Sequence, residues 1–121
     1  MDIFNYDETY PFEVTELEGR YTIMVPVESE QHLEAYIPIF EKYGYSGNGE
    51  SWAGAIDQYL ERVAPDVHDG FFLDPEAGAF YGYVVDEASA KSTLQALVPT
   101  FSDLSRFEEL VASLDASRMD D

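Results

Sequence analysis

Among the side chains that could take part in catalysis or metal binding, carboxylates are the most abundant in this sequence. Aspartate and glutamate number 25 among 121 residues. The densest group near a predicted hairpin consists of Asp66, Asp69, Asp74 and Glu76. Paired carboxylates act as general acids and bases, and their oxygens bind hard cations such as Mg²⁺. Because these four residues lack the spacing of a calcium loop, and such groups arise by chance in so acidic a chain, a small carboxylate-dependent metal hydrolase is the weaker functional hypothesis.

The other residue types that support catalysis are scarce or absent. His32 and His68 are not in a His-x-x-x-His or His-Glu-x-x-His spacing, and each is predicted to be a surface or capping residue. The chain has no cysteine, which excludes thiolate nucleophiles, disulfides and cysteine-based zinc or iron–sulfur sites. No serine nucleophile elbow is present. The sequence therefore predicts a protein that is not an enzyme, with no catalytic residue, no metal site and no cofactor.

The charge balance restricts the kind of partner. Six Lys and Arg residues against 25 acids give a formal net charge of −19 at pH 7. Such a surface repels nucleic acid and anionic membranes, and it attracts a basic protein. The same acidity also suits solubility or adaptation to a salty cytoplasm. The N-terminus has no basic and apolar leader, and no apolar run is long enough to span a membrane, so the protein is expected in the cytoplasm.

A glycine-rich stretch, residues 44–52, separates two helical patterns. Glycine adopts positive φ at little steric cost, so this stretch is predicted to reverse the chain. Either Asn48 or Ser51 is suited to cap the following helix, whose first turn contains the only tryptophan, Trp52. The structural interpretation is a corner anchored in the core by this tryptophan. The residues of that structural motif are Gly44, Gly47, Gly49 and Trp52.

Two short motifs resemble a known family. The first is Gly-Tyr-x-Gly-Asn-Gly-x-x-Trp over residues 44–52, and the second is Asp-Pro-Glu-Ala-Gly over residues 74–78, followed by Phe80. Together they resemble immunity protein family 51 of bacterial polymorphic toxin systems. The resemblance covers most of the chain and implies a small α+β protein that binds and neutralises a toxin made by the same bacterium. It assigns no catalytic residues.

The hydrophobic patterns predict an α+β fold of one domain, residues 1–121, with an antiparallel sheet of about four strands and helices packed on it. Strands are predicted over residues 12–15, 20–27, 67–73 and 79–85. The last of these is apolar on both faces, which is typical of a central strand that is covered on both sides. Residues 1–10 are expected to be irregular, and residues 115–121 are expected to form a frayed polar tail.

A local alignment suggests an internal repeat. Residues 33–40 and 94–101 share Leu, Ala, Pro and Phe at the same spacing, with Pro38 equivalent to Pro99. Each stretch follows a predicted hairpin and precedes another helix. The sequence therefore predicts two duplicated hairpin-helix-helix (ββαα) units in one sheet. A kink or break is expected at Pro38, because proline removes a backbone donor from the helix interior.

The predicted function is binding rather than catalysis. The candidate partner-binding residues lie in the glycine-rich stretch, on the outer face of the helix after it and in the second hairpin. They are Tyr45, Asn48, Glu50, Asp57, Glu61, Asp74 and Glu76. The expected partner is a cognate toxin domain with a basic surface, and the resemblance implies a nuclease. The alternative is an acidic regulatory module that binds another basic protein. The sequence does not indicate an oligomeric state.

Overall fold

A computed structural model describes residues 5–119 and contains a four-stranded antiparallel sheet in the order β1-β2-β4-β3. The predicted α+β class and the single sheet of four strands are confirmed. The strands are β1 (Glu13–Leu17), β2 (Arg20–Val25), β3 (Phe72–Leu73) and β4 (Phe80–Val84). The two hairpins thus share one sheet, because β2 of the first pairs with β4 of the second.

Helices account for most of the remaining described chain. They are α1 (Tyr6–Thr9), α2 (Glu30–Ala35), α3 (Ile37–Lys42), α4 (Gly49–Val63), α5 (Pro65–Gly70), α6 (Glu87–Phe101) and α7 (Leu104–Ala112), followed by a 3-10 turn at Ala116–Arg118. Side-chain caps explain where the longer helices begin. The side chains of Asn48, Asp86 and Asp103 accept hydrogen bonds from backbone N–H groups in the first turns of α4, α6 and α7, which satisfies donors that the helix leaves free.

The two central strands bury one face of the sheet. Tyr21 of β2 pairs with Val84 of β4, and Val25 pairs with Phe80, so these side chains share a face. All four are buried. The central position predicted for the last strand is confirmed, but its predicted cover on both sides is wrong, since Tyr83 on the opposite face is 37% exposed.

The region before β3 differs from the prediction. Residues 67–73 were expected to form a strand, but Pro65–Gly70 form α5 and only Phe72 and Leu73 are in the sheet. Proline at the first helical position lacks only an N–H that would be unpaired there, and its fixed φ favours a helix start. Pro65 therefore ends α4 and begins another helix.

The two stretches of the predicted repeat have different local structures. Tyr36 separates α2 from α3, with Pro38 in the first turn of α3, so the predicted break occurs. By contrast, α6 continues through Pro99 and ends two residues later, at Phe101. One shared sheet is what a duplication requires, but the duplication itself stays a prediction.

Both terminal segments contain local structure that the sequence did not indicate. The segment expected to be irregular, residues 1–10, includes α1, which is capped by the Asn5 side chain. In the segment expected to be frayed, residues 115–121, the backbone N–H of Asp115 donates to Gln58 on α4 and Arg118 pairs with acids of the same helix. Residues 1–4 and 120–121 lie outside the described residues.

The core is centred on the indole ring of Trp52, which is fully buried. The closest rings are those of Tyr36, with centroids 5.0 Å away, and Phe107, at 5.5 Å. Phe40 and Phe101 follow at 5.9 Å each. Aromatic pairs at these separations contribute beyond the area they bury. The indole therefore connects α3, α6, α7 and the junction between α2 and α3 to α4.

We expect Trp52→Ala to lower the free energy of unfolding by about 3 to 5 kcal/mol, because it removes a large buried ring and leaves a cavity. Phe72→Ala is the control, since that ring is 61% exposed and its loss should cost about 1 kcal/mol or less. Chemical denaturation monitored by circular dichroism measures both. A Trp52→Ala protein as stable as the control would contradict the central role of the indole.

Candidate functional site

The glycine-rich stretch brings two distant motifs into contact. Gly44 and Gly47 have φ values of 95° and 84°, which other residues rarely adopt. Gly49 has another role. It opens α4, and a Cβ atom there would lie 1.9 Å from the carbonyl oxygen of Glu76 and 2.3 Å from that of Ala79. Only glycine therefore allows α4 to begin against the β3–β4 turn.

The residues around this contact serve the fold. The Asn48 side chain accepts a hydrogen bond of 3.0 Å from the Ser51 N–H, which makes Asn48 the cap of α4. Tyr45 was predicted to face a partner, but it is only 8% exposed and its ring packs on Phe40. Tyr45 therefore belongs to the core. Glu50 is partly exposed and forms no salt bridge within residues 5–119.

The predicted acids on the outer face of α4 form a cluster with residues from two other elements. Arg118 of the 3-10 turn donates to Glu61 through both terminal nitrogens, at 3.1 and 3.0 Å, and to Asp57 at 3.2 Å. His68 of α5 lies 2.7 Å from Asp57. The two carboxylates were expected to face solvent freely. Instead they attach α5 and the C-terminal turn to α4.

Asp57, Glu61 and His68 are also the one set of side chains in residues 5–119 with metal-ligand spacing, since their ligand atoms lie within 4.8 Å of one another. The Arg118 guanidinium already supplies a positive charge to both carboxylates. A cation would have to displace it. The carboxylates Asp66, Asp69, Asp74 and Glu76, considered above for a hydrolase, are not brought together as a metal-binding set within the described residues.

The two histidines have opposite environments. The hydrogen bond with Asp57 raises the pKa of His68 above its ordinary value. Burial lowers the pKa of His32, which is 1% exposed and stacks on Tyr36. Of the two predicted alternatives, a surface or a capping residue, the surface position was therefore wrong. The Nδ1 atom of His32 shares a hydrogen bond with the Ser29 hydroxyl. The next residue, Leu33, begins an apolar i, i+3, i+4, i+7 pattern with Tyr36, Ile37 and Phe40, which predicts that it faces the core. In the structure Leu33 is instead 46% exposed.

The hairpin acids differ from those of α4. Asp74 and Glu76 are exposed and have no salt bridge within the described part of the chain. The Tyr83 hydroxyl donates to Asp74 Oδ2 over 3.3 Å. Partial burial, the nearby Asp74 carboxylate and, more weakly, Glu76 raise the pKa of Tyr83.

The glycine-rich stretch and the turn that it contacts both lie within residues 12–116, which match the family model for immunity protein 51. The chain belongs to the immunity protein 51 family. Comparisons with curated proteins and with solved structures gave no significant match.

Membership of this family assigns a role to the whole molecule. Immunity proteins bind a cognate toxin and neutralise it, and they are typically inhibitors without enzymatic activity. Within residues 5–119, none of the helices combines the length and apolar character needed to cross a membrane. For an immunity protein, the relevant site is a surface complementary to the toxin.

We expect Gly49→Ala to destabilise this immunity protein by about 1 to 3 kcal/mol, because the new methyl group would collide with backbone that cannot rotate away. Gly70→Ala is the matched control, since a Cβ there meets nothing within 4 Å. Thermal and chemical denaturation of both variants provide the measurement. Equal stabilities would mean that α4 does not depend on its close approach to the hairpin.

We expect the pKa of His68, measured by NMR titration, to fall in an Asp57→Asn variant, because that variant removes the carboxylate partner. In the native protein the folded-state pKa lies above the unfolded one. Protonated His68 therefore stabilises the fold at pH values below its ordinary pKa, and this contribution disappears as the pH rises through the raised value. The pKa of His32 should not move in the variant. An unchanged His68 pKa would contradict the hydrogen bond with Asp57.

Proposed function

We propose that this immunity protein neutralises a basic toxin domain, most simply a nuclease, by covering its positively charged cleft. The observation that carries the proposal is the position of the acidic groups. No aspartate or glutamate among residues 5–119 is buried. The negative charge therefore lies at the surface, where it acts on an approaching partner.

The few cations do little to offset this charge. Lys42 pairs with Glu108, Lys91 with Glu87, and Arg106 with Asp103. Arg118 is held by the α4 acids described above. Only Arg20 and Arg62 have no salt bridge within the described residues. A nuclease cleft is basic because it must hold the phosphates of nucleic acid. A protein with a net charge of −19 would occupy that cleft in place of the negatively charged nucleic acid.

Three of the sequence-predicted residues are best suited to contact the toxin. Glu50 follows Gly49, which touches the backbone of Glu76, and Asp74 precedes that same turn. The backbone of these three residues therefore lies at one corner of the molecule, and their carboxylates have no salt bridges within residues 5–119. We propose that Glu50, Asp74 and Glu76 contribute to binding, whereas Asp57 and Glu61 contribute through their negative field, since both already have internal partners.

The proposal also assigns a compartment and a mode of action. A nuclease meets its substrate in the cytoplasm, so the immunity protein is expected to act there. Inhibition should be stoichiometric, because the molecule covers a site and performs no turnover.

The test is the salt dependence of binding to the toxin domain encoded beside the gene of this protein. At low salt the association rate constant should exceed roughly 10⁷ M⁻¹s⁻¹, because opposite charges steer the encounter. Added salt should slow association far more than it speeds dissociation, since screening acts at distances beyond about 10 Å. Surface-binding kinetics at several salt concentrations measure both rates. An association rate that does not change with salt would refute the proposal of a basic partner.

A further inference from the structure

One face of the sheet is left open by the fold. Side chains that are directly opposite in an antiparallel sheet point to the same side. The register places Phe72 opposite Tyr83, and Tyr83 opposite Thr22. The next row contains Tyr81 and Met24. We call these five residues, together with Thr15 opposite Thr22, the outer face.

The outer face carries three aromatic rings and a methionine, although it lies in water. Phe72 is 61% exposed and Tyr83 is 37% exposed, whereas Ile23 and Phe80 on the inner face are fully buried. A central strand with apolar groups on both sides is normally covered on both sides. Here the cover is missing on one side. An exposed apolar patch on a small protein marks an interaction site.

Two carboxylates lie on the same side of the sheet as these aromatic rings. Asp74 accepts a hydrogen bond from the Tyr83 hydroxyl, so it lies beside that ring. Glu13 is opposite Met24 and therefore shares the face. Arg20, opposite Leu17 at the far end, is the single cation on this face within residues 5–119. Tyrosine and phenylalanine rings beside carboxylates favour arginine and lysine, which stack on a ring while their charge meets an acid.

These observations select among possible occupants. A second copy of the chain would bring two acidic rims together, with a net charge of −19 on each molecule. Nucleic acid and anionic lipid would be repelled for the same reason. We infer that the outer face is the docking surface for the toxin, and that the toxin inserts arginine or lysine side chains over Tyr83, Tyr81 and Phe72. This inference rests on the proposed function.

The first experiment uses the unmodified protein with labelled methionine methyl groups. Met24 lies on the outer face, whereas Met119 lies beside Gly54 of α4. Titration with the toxin domain should shift or broaden the Met24 methyl signal and leave the Met119 signal in place. A change confined to Met119 would overturn the inference.

The second experiment tests the rings and the acids separately. Tyr83→Ser and Phe72→Ser should each raise the dissociation rate constant by at least about tenfold, because they remove exposed rings at the centre of the contact. Leu104→Ser is the matched control, since Leu104 on α7 is 44% exposed and should have no effect. Asp74→Lys should slow association more than Glu109→Lys, which makes the same charge change on exposed α7.

The outcomes separate this inference from the proposed function. If association depends on salt but the outer-face variants dissociate like the control, the toxin is basic and the inferred surface is wrong. If the variants dissociate faster but the association rate constant does not change with salt concentration, the inferred surface is right and the proposed basic partner is wrong. If the protein is a dimer by sedimentation and Tyr83→Ser makes it monomeric, the occupant is a second copy and the inference is overturned.

Discussion

The packing of six rings around the Trp52 indole holds together parts of the chain that are far apart in sequence. The rings belong to Phe12, His32, Tyr36, Phe40, Phe101 and Phe107. They come from both halves of the chain and from most of the longer helices. Because Trp52 is in the first turn of α4, its position depends on where that helix begins. The beginning is set by Gly49, a buried residue that lies against the hairpin turn, so a backbone contact between α4 and that turn determines how the core is assembled.

The parts of the fold that could be predicted from sequence are those that short-range rules control. Asn48 was one of two expected caps for α4, and it has that role because its side chain reaches an N–H three residues ahead. The break before Pro38 follows from the chemistry of proline. By contrast, the sequence predicted a strand over residues 67–73, whereas a helix begins at Pro65, because proline also favours the start of a helix.

The parts that could not be predicted depend on contacts between distant residues. His32 and Leu33 are neighbours, and the apolar character of leucine favoured the inward position for Leu33. The structure buries His32 instead, because its ring fits between Tyr10 and Tyr36 and its Nδ1 has the Ser29 hydroxyl as a partner. This hydrogen bond satisfies one of the two ring nitrogens, and it is not visible in a helical pattern.

The same limit applies to the candidate site. From sequence alone, Asp57 and Glu61 were interpreted as unpaired acids on an exposed helix face. No sequence pattern near them identifies Arg118 as their salt-bridge partner. The exposed outer face had a signal in the sequence, namely a strand with apolar residues on both sides. That signal was interpreted as burial on both sides, since sequence alone does not say whether the second cover comes from the same molecule or from another.

The pairing of β2 with β4 has a consequence for how the chain reaches its native state. It joins residues about sixty positions apart, such as Tyr21 and Val84. Closing so long a loop costs conformational entropy before the contact is gained, and folds that depend on distant pairing form slowly. Until the two strands meet, their apolar faces are open to other unfinished copies, and such states aggregate. A chain carrying −19 repels its own copies throughout that interval. We therefore expect the acidity to limit aggregation of the nascent protein while its sheet is still incomplete.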